Sequence, residues 1–139
     1  MTAKVALLLF AGRNFSLPVE RIRHILQEPD LFLLPGLCKG LSGVFMFEEE
    51  LIPMVSADIL SDLGPYRPGR GTYTIVYQSD YGVVGLPVET SVKIVDENDG
   101  SFKDAPPEEE SAVVSRFFNY QEFGYPVLDV DKMLTLLSI

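Results

Sequence analysis

Apolar residues come in short runs along this chain, each bounded by Gly, Pro or charge, and the runs are too brief for long helices. Val5 to Phe10 reads as a strand, Gly12-Arg13-Asn14 as a turn, and Phe15 to Leu17 as the return. Pro18 lacks a backbone donor and marks the strand's end. Ile22 to Leu26 predicts a further strand, although Val19 to Leu26 also fits one helical turn. Gln27 to Leu34 reads as a loop, closed by Pro35-Gly36 and a short helical turn through Lys39. Thr72 to Tyr77, a turn at Ser79-Asp80, and Tyr81 to Leu86 form another hairpin, ended by Pro87-Val88-Glu89. A strand around Val92 and Ile94 follows. The acidic stretch Asp96 to Glu110, holding Gly100, Pro106 and Pro107, reads as a loop. Val113 to Tyr120 and Phe123 to Leu128 make a last hairpin around Gln121-Glu122. Asp131 is placed to cap a terminal helix whose Met133, Leu134, Leu136 and Leu137 can face inward.

The middle of the chain, KGLSGVFMFEEELIPMVSADIL from Lys39 to Leu60, is where the pattern is most informative. Two apolar runs, Gly40 to Phe47 and Leu51 to Val55, flank Glu48, Glu49 and Glu50. Three adjacent carboxylates cannot be buried together as ions, so the stretch predicts a hairpin with its charged tip in water. Neither run alternates with polar residues. Val44 and Met46 point one way and Phe45 and Phe47 the other, so both faces are expected to be covered, by the fold or by a partner. Ser56 then offers a cap for a short helix through Leu60.

The order of elements repeats. Leu17-Pro18-Val19-Glu20 recurs as Leu86-Pro87-Val88-Glu89, each closing a hairpin and each followed by a strand ending in Ile25 or Ile94. Phe47 with its turn, Pro53, Asp58 and Leu63 line up with Tyr120, Pro126, Asp131 and Leu136. Each half reads as hairpin, strand, hairpin, short helix. The chain is therefore expected to be one domain over residues 1–139, with halves at about 4–63 and 72–137 and a connector at about 64–71, rich in Gly and Pro. The fold class is all-β with short helices.

Composition narrows the partners. With 139 residues and 47% hydrophobic content, and a mean hydropathy of +0.18, the chain can bury a real core. Twenty acidic residues against 11 basic ones give a net charge of −9, which disfavours nucleic acid and anionic membranes. The single cysteine, Cys38, makes no internal disulfide and suits a reducing compartment. Val5 to Ala11 is short for a signal peptide, and Arg13-Asn14 follows where small residues would be cleaved. The expected location is the cytoplasm.

Candidate chemistry is sparse. His24 is the lone histidine, and no Gly-x-Ser-x-Gly elbow accompanies it; Gly40-Leu41-Ser42-Gly43 is one residue short. A surface histidine on a strand is the simpler reading. Cys38 sits beside Leu37 and reads as a small buried side chain. In Asp96-Glu97-Asn98-Asp99-Gly100 the glycine would be the sixth residue of a calcium loop, leaving Val95 at the first position and no Glu at the twelfth. Gly69-Arg70-Gly71 lacks the strand, helix and further glycine of a phosphate cradle. No catalytic residue, metal or cofactor is expected, and Glu108 to Glu110 reads as a solvated charge run.

The central stretch resembles the hairpin of CheW-like domains, the adaptors of bacterial chemotaxis. Their pattern runs Pro, two variable residues, an apolar residue, Lys-Gly, an apolar strand, an Asn-apolar-Arg-Gly turn, then a strand with Pro and a short Asp-Leu end. Pro35, Lys39, Gly40 and Pro53 match it. Val84-Gly85-Leu86-Pro87-Val88-Glu89 is similar to the family's Val-Gly-apolar-variable-Val-Asp, with Glu for Asp, and Gly124 to Leu134 to its closing strand and helix. The likeness runs from Val5 to Leu137. It implies two similar small five-stranded SH3-like β-barrels packed over a shared core.

The resemblance also implies a non-catalytic adaptor that binds the regulatory domain of the histidine kinase CheA through barrel ends. It implies contact with the cytoplasmic tip of chemoreceptors in the groove beside the central hairpin. Lys39, Leu41, Val44 and Phe45 are the binding residues carried over, joined by Glu48, Glu49 and Glu50 at the tip. The departure lies there: three glutamates and a slightly longer loop stand for the family's Asn and Arg-Gly, which bears directly on receptor contact. The alternatives are a divergent module of another signalling array, a small ligand-binding barrel, whose mark would be paired titratable groups in a polar pocket, and a duplicate that only dimerises.

Overall fold

The computed structural model describes residues 3–10, 12–37, 40–56, 73–89 and 92–137. The expected helix after Ser56, the connector, Cys38 and Lys39 lie outside them. Eleven strands, two one-turn 3₁₀ segments and one short α-helix make up the described elements. The strands are β1 Lys4–Phe10, β2 Arg13–Pro18, β3 Ile22–Gln27, β4 Leu41–Phe47, β5 Glu50–Val55, β6 Tyr73–Ser79, β7 Gly82–Val88, β8 Lys93–Asp96, β9 Ser101–Asp104, β10 Arg116–Tyr120 and β11 Phe123–Pro126; the helix is α1 Val130–Leu134.

Four tight hairpins organise the sheets, and their register repeats. Val5 opposite Pro18 in β1–β2 recurs as Thr74 opposite Pro87 in β6–β7. Val44 opposite Pro53 in β4–β5 recurs as Phe117 opposite Pro126 in β10–β11. Bonded and non-bonded pairs alternate along an antiparallel ladder, and each two-residue turn closes on a bonded pair. Counting back from the turns puts all four prolines at non-bonded sites, where no ladder hydrogen bond to the hairpin partner is lost. This explains how Pro53 and Pro126 sit within strands.

The spatial units are not the two sequence halves. One ring joins the sheet β2-β1-β8 to the sheet β11-β10-β9, through a parallel bridge between Ser16 and Val127 and through the one-turn 3₁₀ segment Glu97–Asp99. The other is the five-stranded sheet β3-β6-β7-β5-β4, whose edge strand β4 is met by the segment after β3, where Phe32 bridges Val44. So β3 crosses to lie beside β6, and β8 crosses to lie beside β1. Each barrel takes a hairpin from the other half: β1 and β2 join β8 to β11, and β6 and β7 join β3 to β5.

Burial follows this exchange. Val5, Leu7, Val95 and Phe118 fill the first barrel; Phe45, Ile52, Met54 and Val76 fill the second. A larger cluster between them holds Leu8, Phe15 and Leu17 together with Ile75, Tyr77 and Leu86, plus Val113, Leu128 and Met133. Leu17 and Leu86 are both buried and stand at equivalent places in their hairpins, opposite Ala6 and Ile75.

Several expected boundaries shift. The first turn is tighter than Gly12-Arg13-Asn14, because Arg13 and Asn14 already pair with Phe10 and Leu9. The third turn falls at Asp80-Tyr81, since Ser79 pairs with Gly82. The acidic loop after Asp96 contains β9, held by Phe102 opposite Phe118 with ring centroids 5.0 Å apart. Val113 and Val114 are buried outside any strand, their N–H groups donating to Ser111 Oγ at 3.3 and 3.2 Å. The terminal helix is capped by Asp129, whose Oδ1 accepts from Lys132 N at 3.0 Å; Asp131 instead accepts from Asp80 N at 2.7 Å. Met133 and Leu134 are buried there and Leu136 is exposed.

Candidate functional site

The β4–β5 hairpin turns in two residues. Phe47 pairs with Glu50, and Glu48 and Glu49 take φ of 48° and 66°. The loop is thus not lengthened, contrary to the expectation from sequence. Two consecutive left-handed residues match a type I′ turn, which the twist of the strands favours and which Asn-Gly fills most cheaply. Gln121 and Glu122 adopt the same pair of angles, 48° and 69°, in the last hairpin. All three tip carboxylates are exposed. Arg23 on β3 approaches Glu48 at 3.8 Å, a loose pair in water that contributes little.

The strand behind the tip separates its candidate residues. Phe45 is 0% exposed and lies inside the barrel over Gly85, where a Cβ would collide with its ring. Val44 is buried by the backbone bridge to Phe32. Both side chains are buried in the free chain and neither is presented at its surface. Leu41 is half-buried against the shared core and is accessible only in part. Lys39 falls outside the described residues. Of the seven sequence candidates, the structure brings Glu48, Glu49 and Glu50 together at the surface.

The same hairpin exposes residues that the sequence reading passed over. Met46 is 50% and Leu51 58% exposed, opposite each other across the strands. Beside them run Leu31, Phe32, Leu33 and Leu34, all exposed, with Leu33 at 79%. Their signal was a run of four apolar side chains inside a segment otherwise marked as loop by Glu28, Pro29, Asp30 and Pro35. The fold therefore covers Val44 on this face of β4 and leaves Met46 open.

Among the described residues no catalytic arrangement stands elsewhere. His24 is exposed on β3 with its ring 5.5 Å from Phe47, as a surface histidine would be. A hollow of about 510 Å³ is lined by Lys4, Ser16, Pro18, Glu20, Phe102 and Arg116, among others. Three of its polar groups are engaged structurally: Lys4 holds Asp96 at 2.6 Å, Arg116 stacks over Phe102 at 4.4 Å, and buried Ser16 directs its hydroxyl at the Tyr125 and Pro126 carbonyls. Among the described residues no group of His, Cys, Asp and Glu could hold a metal ion. Among them, too, no helix is long and apolar enough to cross a membrane.

Among the described residues two titrations are displaced. Arg21 is held above its ordinary value, chiefly by its hydrogen bond to Asp80 at 3.1 Å. Tyr77, in the shared core, is pushed up to about 12, first by burial, with the Arg21 charge opposing. A neutral Tyr77 contributes its full stabilisation below the ordinary value of 10.0. Between that pH and about 12 the unfolded chain loses the proton and the folded one keeps it, so stability falls across this window and levels above it. The loss is on the order of 2–3 kcal/mol. Urea titrations from pH 9 to 12 should show a shallower decline for Tyr77→Phe than for the parent; parallel declines would mean that the hydroxyl is solvated.

A family model described as CheW-like domain matches residues 4–138. Among curated proteins nothing matches. Among solved structures, the crystal structure of the scaffolding protein TtCheW from Thermoanaerobacter tengcongensis is similar, with a TM-score of 0.74 at 15% identity, covering 96% of this chain and 92% of that one. At that identity the likeness shows the fold, all-β with two small barrels.

Proposed function

The chain belongs to the CheW-like domain family, non-catalytic scaffold adaptors of chemotaxis signalling, and on that premise we propose that it couples a receptor to a CheA-type histidine kinase in the cytoplasm. The observation that carries this reading is the family match across residues 4–138, in a chain whose described hollows hold no catalytic pair. The kinase's regulatory domain is the first partner, met at a barrel end. The receptor's cytoplasmic tip is the second, met beside the central hairpin through Leu41 and Lys39.

The tip favours a variant of that coupling. Laid on a two-residue turn, the family's Asn-apolar-Arg-Gly falls on Met46, Phe47, Glu48 and Glu49. A guanidinium forks onto a carboxylate; a carboxylate at the same place repels one and attracts Lys or Arg. The chain is thus suited to a signalling array whose receptor or kinase is basic where the usual partner is acidic. Isothermal titration of this protein against a CheA-type regulatory domain and against a receptor cytoplasmic fragment tests the coupling, and binding to neither would sink it. Glu48, Glu49 and Glu50 replaced together by Gln should slow encounter and flatten the salt dependence of receptor binding. Stability should move by less than about 1 kcal/mol, as for exposed charges generally. Unchanged affinity and salt response would reduce the tip to a solvated turn.

A further inference from the structure

The two barrels follow one plan and differ at one edge. In the first, β9 lies along β10 from Ser101 opposite Asn119 to Asp104 opposite Arg116. In the second, the corresponding segment meets β4 through a single pair, with Phe32 N donating to Val44 O at 2.7 Å and Val44 N to Phe32 O at 2.9 Å. The alternation along β4 turns the Met46 N–H and C=O to the same side as those of Val44, away from β5. Among the described residues no strand lies there. A groove of about 390 Å³ occupies the place, between Gln27 and Asp30 on one segment and Met46 and Glu48 on the other.

We propose that this edge, with the apolar face made by Leu31 to Leu34, Met46 and Leu51, is a docking surface for an extended protein segment that is apolar and flanked by Lys or Arg. Phe32 and Met46 line the same groove, Met46 faces Leu51 across the hairpin, and Leu31, Leu33 and Leu34 are exposed on the segment that carries Phe32. Contiguous exposed apolar surface of this kind marks an interaction site, whereas scattered single residues do not. The rim gives the occupant its charge. Glu28, Asp30, Glu48, Glu49 and Glu50 surround the patch, and only Glu48 has a cation within ion-pair distance among the described residues. An unpaired strand edge offers backbone hydrogen bonds to an added strand, and the filled edge of the first barrel shows a strand in the matching place. A second copy of this chain fits poorly at long range, since each copy carries −9.

This deepens the adaptor reading by giving the chemistry of a partner, and rests on it only in taking the occupant to be a protein. The test uses the whole chain and two short synthetic peptides, one alternating Val with Lys and the other the same with Glu for Lys. Fluorescence anisotropy should show binding of the Lys peptide, weakening with salt, and none of the Glu peptide. Amide shifts in a two-dimensional NMR titration should concentrate at residues 30–34 and 44–51. Leu33→Glu and Met46→Glu, at exposed positions, should keep the parent's melting temperature and weaken the peptide by about tenfold or more, the scale of losing a central interface side chain. Equal binding of both peptides, shifts elsewhere, or no effect of either variant would overturn the proposal. So would dimerisation of the chain alone that Leu33→Glu abolishes, which would assign the face to a second copy. A kinase domain that binds the parent while neither peptide does would leave the adaptor reading intact and remove this one; localised peptide binding without kinase or receptor binding would do the reverse.

Discussion

Replacing Phe45 by Ala is expected to cost about 3–5 kcal/mol of stability, the range for truncating a buried aromatic ring. The ring is fully buried and closes the interior of the second barrel with Ile52, Met54 and Val76. Its place depends on Gly85 across the barrel, where any Cβ would meet the ring. The barrel is small and its walls are hydrogen-bonded strands, so it cannot collapse onto the void, and the cavity adds to the lost transfer energy. Phe118 holds the corresponding place in the first barrel, fully buried beside Val5, Leu7 and Val95, and its truncation should cost a similar amount. Urea denaturation of Phe45→Ala and Leu51→Ala gives the contrast. Leu51 is mostly exposed, and its loss should cost less than about 1 kcal/mol, as at surface sites generally. A comparably small effect at Phe45 would put the ring at the surface and restore it as a partner-binding residue.

What was legible in the sequence and what was not divide along a physical line. Hairpins are local: apolar runs, a turn residue and a proline set them, and all four were visible. So was the repeat, because Leu17-Pro18 and Leu86-Pro87 fix the same register in β1–β2 and β6–β7. Pairing between distant strands is not local. Nothing in Ile22 to Gln27 says that it lies beside Tyr73 to Ser79 rather than beside its own hairpin; the shared core decides that. β9 was hidden because Ser101 and Asp104 are polar and only Phe102 packs inward. The cap moved from Asp131 to Asp129 because two acids stand in reach and tertiary contact with Asp80 claimed one.

The candidate residues divide along the same line. A run apolar on both faces announces burial without saying which residue a neighbour covers. Val44 went under the Phe32 bridge, whereas Met46, next on the same face, did not. The glutamates were legible because charge at a turn has only one place to go. The apolar run at Leu31 to Leu34 was passed over because proline and acid around it dominate a local reading, and its exposure depends on how far the segment follows β4.

Leu17→Ala and Leu86→Ala should each cost about 2–5 kcal/mol, as buried leucines do, and each should destabilise the entire domain in one step. Both side chains are about 1% exposed and lie in the cluster between the barrels. That cluster draws on β1 and β2 from one barrel and β6 and β7 from the other, so a cavity on either side loosens contacts made by both. The crossed strands strengthen the coupling: unfolding the first barrel frees β8 from β1, and unfolding the second frees β3 from β6. Neither barrel can come apart while the sequence half that feeds the other stays intact. Far-ultraviolet circular dichroism and tyrosine fluorescence should therefore report the same urea midpoint for the parent and for each variant, with the midpoint lowered and the slope unchanged. If the halves were independent units, Leu17→Ala would split the transition, leaving one phase at the parent midpoint. A split of that kind would refute the shared core, and a loss below about 1 kcal/mol at either leucine would mean that its side chain is not buried as described.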